Sequence, residues 1–208
     1  MKKIFTILLA AIAMGFLGGC SDDAGGGGGY SVSAPTGLSA SAKSSTSVRL
    51  RWAPVDGASS YNIQFDDGYG WTSGGSTPNN EHTVSGLQPY TNYSFRVQAV
   101  GSSNISEWSS SKSARTWIGK PFVLTKTSGT SVTLIITPVD GAASYSVNYG
   151  TTPDFSSAKH FTNAQPVNGS IPDVKIPGLT AGKTYYFFVM PISSGTSQAE
   201  YAMISVSL

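Results

Sequence analysis

The chain has 208 residues, of which 12% are charged and 24 are glycine, a composition closer to secreted all-β proteins than to a helical cytosolic enzyme. Its 13 basic and 11 acidic side chains leave a formal charge of +2, which supplies no basic field for nucleic acid. One cysteine excludes an internal disulfide, and two histidines leave little material for a metal cluster.

The amino end opens with Lys2 and Lys3 and then runs apolar from Ile4 to Leu17, a positive n-region followed by an h-region too short to span a bilayer comfortably. It closes on Leu17-Gly18-Gly19-Cys20, which resembles a bacterial lipobox. The resemblance implies a lipoprotein signal peptide over residues 1–19, cleavage before Cys20, and lipidation of the Cys20 thiol and amine. Several acyl chains at about 0.8 kcal/mol per buried CH₂ hold a protein stably at a membrane. Loss of Lys2 and Lys3 reduces the 13 basic residues to 11, equal to the acidic count, so adhesion by net charge is not expected.

Ser21-Asp22-Asp23 resembles the acidic export signal of surface lipoproteins in Bacteroidetes-type bacteria, and reads equally well as the polar start of a linker. Residues 20–32, with the run Gly25 to Gly29, cannot bury enough apolar surface to fold and are expected to be a tether. The expected location is the cell envelope, lipid-anchored at the outer membrane, with surface exposure as the further expectation.

Beyond the tether the chain repeats. Ala53-Pro54-Val55-Asp56-Gly57-Ala58 matches Thr137-Pro138-Val139-Asp140-Gly141-Ala142 at an offset of 84, which also pairs Trp52 with Ile136 and Tyr61 with Tyr145. Farther on the offset is 92, pairing Leu87, Tyr93, Phe95 and Val97 with Leu179, Tyr185, Phe187 and Val189, so the second copy carries eight extra residues in its middle. Each copy alternates apolar and polar residues between Gly, Pro, Asn and Ser clusters, the pattern of half-buried antiparallel strands. Val48, Leu50 and Trp52 are expected inside, with Arg49 and Arg51 in solvent.

With Pro35, Leu38, Trp52, Tyr61, Leu87 and Tyr93 through Val97, and then Glu107-Trp108-Ser109 and Thr116, the first copy resembles a fibronectin type III domain over residues 33–117. The second, over 118–208, is similar, although Ile136 replaces the strand-B tryptophan. The resemblance implies an all-β fold of two tandem immunoglobulin-like seven-stranded β-sandwiches, with Tyr93 and Tyr185 closing the turn before strand F by bonding backbone. Only Ile118, Gly119 and Lys120 join the copies, so a semi-rigid rod is expected.

Chemistry is sparse. His82 and His160 are the only imidazoles and are expected in solvent, and Asp66-Asp67-Gly68 lacks the spaced oxygen ligands that calcium needs. No phosphate loop, HExxH or GxSxG occurs. A non-enzymatic protein without cofactor or metal is expected.

Two surfaces remain as binding candidates. Strict alternation along the second strand F places Tyr186, Phe188 and Met190 opposite the core, and Tyr201 and Met203 of strand G join that face. Such an apolar patch suits a protein partner, unless residues Thr151 to Gly169 fold over it. Tyr69 and Trp71, with Trp108 or Trp117, are the alternative, as rings that stack on a glycan; the competing reading is that Trp71 covers the sheet edge. The leading expectation is a protein-binding or adhesion lipoprotein, with the distal sandwich as its tip. The alternatives are a glycan-utilisation accessory and a passive component of a surface complex.

Overall fold

A computed structural model describes residues 31–165 and 170–208; the signal segment, Cys20 and most of the tether lie outside the described residues. Two β-sandwiches follow one another.

The first comprises β1 (Ser39–Ser44), β2 (Ser47–Arg51), β3 (Ala58–Asp66), β4 (Thr72–Thr77), β5 (Glu81–Ser85), β6 (Asn92–Gly101), β7 (Ile105–Trp108) and β8 (Lys112–Arg115). One sheet has the order β1-β2-β5; the other runs β4-β3-β6-β7, with β8 also on β6. Val48, Leu50, Trp52, Tyr61, Ile63, Phe95 and Val97 form the core between the sheets, because alternate residues of each strand share a face.

The chain end of this sandwich is split into β7 and β8. The Ser106 hydroxyl accepts from the Ala99 amide (2.9 Å) and the Ser109 hydroxyl from the Val97 amide (3.0 Å). Side-chain oxygens thus serve the β6 donors where the strand breaks.

The second sandwich comprises β9 (Val123–Ser128), β10 (Ser131–Ile136), β11 (Ser144–Gly150), β12 (Lys159–Ala164), β13 (Val174–Ile176), β14 (Thr184–Ile192) and β15 (Ala202–Ser207), with a 3-10 turn at Phe155–Ser157. Its sheets are β13-β10-β9 and β12-β11-β14-β15. The core contains Val132, Leu134, Ile136, Tyr145, Val147, Phe187 and Val189.

Tyrosines brace the turns of both copies. The Tyr93 and Tyr185 hydroxyls accept from the amides of Gln88 (2.9 Å) and Thr180 (3.0 Å), the expected corner. The Tyr61 and Tyr145 hydroxyls accept from the amides of Val55 (2.9 Å) and Val139 (2.7 Å) inside the repeated Pro-Val-Asp-Gly turns. Burial pushes the Tyr145 phenol pKa up. The Trp52 indole nitrogen is buried without a hydrogen-bond partner among the described residues, a cost of roughly 1–3 kcal/mol that Ile136 avoids at the matching position.

The joint is knitted rather than loose. Ile118 is fully buried and forms a parallel bridge with Ala199: its amide donates to Gln198 O (2.8 Å), and its carbonyl accepts from the Glu200 amide (3.0 Å). Glu200 Oε1 accepts from the Ser45 amide of the first sandwich at 2.8 Å. The Tyr90 ring lies against Gly141 so closely that a β-carbon there would be 2.5 Å from it. The other partner of that ring is Arg115, whose guanidinium is 4.8 Å from the centroid.

Candidate functional site

The outer faces of the five-stranded sheet of the first sandwich and the four-stranded sheet of the second carry both sets of binding candidates. In the second sandwich, the expectation that Tyr186, Phe188 and Met190 all face water is corrected at Phe188, which is fully buried. Phe155 of the 3-10 turn packs edge-on against Phe188 (centroids 5.6 Å), Tyr201 packs against the same ring (5.8 Å), and Phe155 and Tyr201 stack on each other (5.4 Å), so the three rings form a triangle. Tyr186 and Met190 are half-buried. The segment after Thr151 does fold over the face. Tyr201 and Met203 stay exposed, at 44% and 50%; Ala202 is buried and Ile204 and Val206 partly buried, in the inward phase expected of this strand.

The first sandwich repeats this arrangement with different chemistry. The Arg96 guanidinium lies 4.0 Å from the Trp71 centroid and 4.7 Å from that of Trp108. Its Nε and Nη2 donate to Gln64 Oε1 at 3.0 and 2.7 Å, fixing the fork. A cation between two indole faces is attracted by both ring quadrupoles. Tyr69 stands apart, 96% exposed between Gly68 and Gly70, both at positive φ. The tip is held by Asp66, whose Oδ1 accepts from the amides of Gly68 (2.7 Å) and Gly70 (2.9 Å). Those bonds, led by Gly70, draw the Asp66 pKa below its ordinary value.

Residues 33–115 match the family model for the fibronectin type III domain. This segment is a fibronectin type III domain. The chain also shares 46% identity over 77 residues with a poly(3-hydroxybutyrate) depolymerase of Ralstonia pickettii; these are 37% of this chain and 15% of that protein. The chain therefore spans only a small part of that relative. Among solved structures, the two-domain fibronectin type III segment of chicken tenascin is similar at 20% identity and TM-score 0.44, covering 84% of this chain and 99% of that one. FN3tt is similar at 28% identity and TM-score 0.38, covering 41% and 94%.

Of the two histidines expected in solvent, His160 is exposed and His82 is not. His82 is half-buried, with Nε2 3.0 Å from Gly74 O, where it fastens β4 to β5. His160 is exposed, with Nδ1 3.4 Å from the Ser146 hydroxyl, which also accepts from Asn148 Nδ2 at 2.9 Å. Asp66 and Asp67 make the expected turn, and among the described residues no three His, Cys, Asp or Glu side chains gather where a metal could sit.

Trp71 and Trp108 are brought together by Arg96, whereas Trp117 lies at the joint, its amide donating to Ser44 O at 3.2 Å. The residues that sequence reasoning passed over are Arg96 and Phe155. The repeat relates the two positions, with Phe155 following Trp71 by 84 and Phe188 following Arg96 by 92.

Proposed function

We propose that this chain is a non-enzymatic cell-envelope lipoprotein, anchored through Cys20, that binds a protein partner with the outer face of its second sandwich. The observation that carries the reading is the exposed pair Tyr201 and Met203 beside the Phe155 ring, where the first sandwich has Trp108 packed on a cation and the polar row Ser94, Gln98 and Ser113. Half-buried Tyr186 and Met190 extend the apolar ground, and Phe188 supports it from beneath. The hydrogen-bonded joint fixes this face relative to the first sandwich.

The test is a photo-crosslinking residue at Met203 in living cells, with one at Ser94 as control. A discrete protein adduct from position 203 alone supports the face, and its loss on Tyr201→Ser confirms the contact. Equal adducts from both positions, or none from 203, overturn it.

A second reading has its own support. Tyr69 projects fully exposed from a hairpin tip, next to Trp71 at 36% exposure, so these two rings suit contact with a glycan or another polymer surface. The name of the depolymerase relative makes a polyester film worth testing beside a glycan array in a direct binding assay. Binding lost on Tyr69→Ala would favour this reading.

A further inference from the structure

The far end of the second sandwich holds a cleft of about 410 Å³ that no sequence motif announced. Its apolar side is made by Tyr149, Tyr185 and Leu179, and its rim by Thr151, Ser157 and Lys159. We propose that this cleft binds an acidic sugar unit, a hexuronate, and that Lys159 takes its carboxylate.

The cleft exists because of the longer second copy. Residues 151–158 separate β11 from β12, where only 67–71 separate β3 from β4. The added chain turns back on itself, with Ala158 Cα 3.6 Å from where a β-carbon of Gly150 would lie. Phe155 pins it to Phe188 and Tyr201, so the wall is fixed before any ligand arrives. Thr152 and Ser157 bond across the loop at 2.7 Å, and the Ser157 hydroxyl donates to Asp154 O at 3.0 Å. A wall already ordered costs the ligand little in lost conformational freedom.

The lining chemistry selects the ligand. Lys159 is the one charged residue along it and makes no ion pair among the described residues. Asp154, the acidic residue of the segment, is occupied by the Ser156 amide (2.9 Å) and hydroxyl (2.7 Å). The Tyr149 ring is seated on Phe187 and Phe161, while its hydroxyl has no hydrogen-bond partner among the described residues, and Phe65 stands at the matching place in the first copy. An ammonium, free hydroxyls and an aromatic flank in a cleft of this size fit a pyranose that presents a carboxylate, ring hydroxyls and a C–H face.

The experiment is a chemical-shift titration of the full chain in detergent micelles with digalacturonate, and with galactobiose as the neutral control. Saturable shifts at residues 149–159 and 178–185 with digalacturonate are expected, weakened at least tenfold by Lys159→Ala and several-fold by Tyr149→Phe. Neither variant should move the melting temperature by more than a few degrees. No saturable shift, a response indifferent to Lys159→Ala, or equal binding of galactobiose would each overturn the proposal. Because Tyr201 and Met203 lie outside the cleft, crosslinking at Met203 succeeds or fails independently.

Discussion

Arg96 and Phe188 hold the same place in their two sandwiches, each in contact with one ring from the loop after the third strand and one from nearer the end of the module: Trp71 and Trp108 on the guanidinium, Phe155 and Tyr201 on the phenyl. One position has been filled with a cation and the other with a hydrocarbon. Phe188 is fully buried, so Phe188→Ala should cost about 3–5 kcal/mol. Arg96→Ala, losing two half-exposed cation–π contacts, should cost about 1–2 kcal/mol. Urea unfolding of the two variants checks the ranking.

Surface members of the second cluster should behave differently. Met203→Ser is expected to shift stability by less than about 0.5 kcal/mol, the usual range for an exposed substitution. Tyr201→Ser, which also removes two ring contacts, should cost about 1–2 kcal/mol. Loss of partner contact in Met203→Ser at unchanged stability would separate binding from folding.

The joint predicts a clash that can be relieved. Gly141→Ala places a methyl 2.5 Å from the Tyr90 ring at a φ of +82°, so the sandwiches must separate or tilt. Small-angle scattering should show a changed maximum dimension. Adding Tyr90→Ala should restore the original profile while leaving about 1 kcal/mol of backbone strain at position 141.

The two corner tyrosines should have matching costs. Tyr93→Phe and Tyr185→Phe each leave one backbone amide, at Gln88 or Thr180, without its acceptor. A loss of about 1–3 kcal/mol each is expected, readable by thermal unfolding. A null effect in both would show that water replaces the phenol.

Acid should loosen the wall of the distal cleft. Hydrogen bonds from the Ser156 side chain and then its backbone lower the Asp154 pKa. A depressed folded pKa gives stability that is present above the unfolded value, near 4, and is lost as pH falls through the lower folded value. Amide exchange at Ser156, corrected for its intrinsic pH dependence, should therefore lose protection below about pH 4, before the core of β11 and β14 does.

Much of this was legible in the chain. Alternation placed Tyr93, Phe95 and Val97 inside, and the repeated Pro-Val-Asp-Gly aligned two sandwiches without any structure, because burial on one face leaves a period of two that nothing else imitates. The same rule failed at Phe188. Alternation reports which face of a sheet a residue takes, not whether a neighbouring loop covers that face, and the cover comes from Phe155 in a segment with no strand pattern. The Arg96 clamp was hidden for a related reason: an arginine opposite the core reads as solvated until the rings flanking it are placed. The cleft depends on how residues 151–158 turn back, which follows from packing rather than from period.

The buried bridge at Ile118 has a mechanical consequence. With backbone hydrogen bonds on both sides of that residue and Tyr90 wedged against Gly141, there is no elbow at which bending can be absorbed. Torque on one module passes to the other, so whatever grips the second sandwich turns the first with it instead of folding the molecule in half. The angle between the modules is inherited from three residues, Ile118, Tyr90 and Gly141.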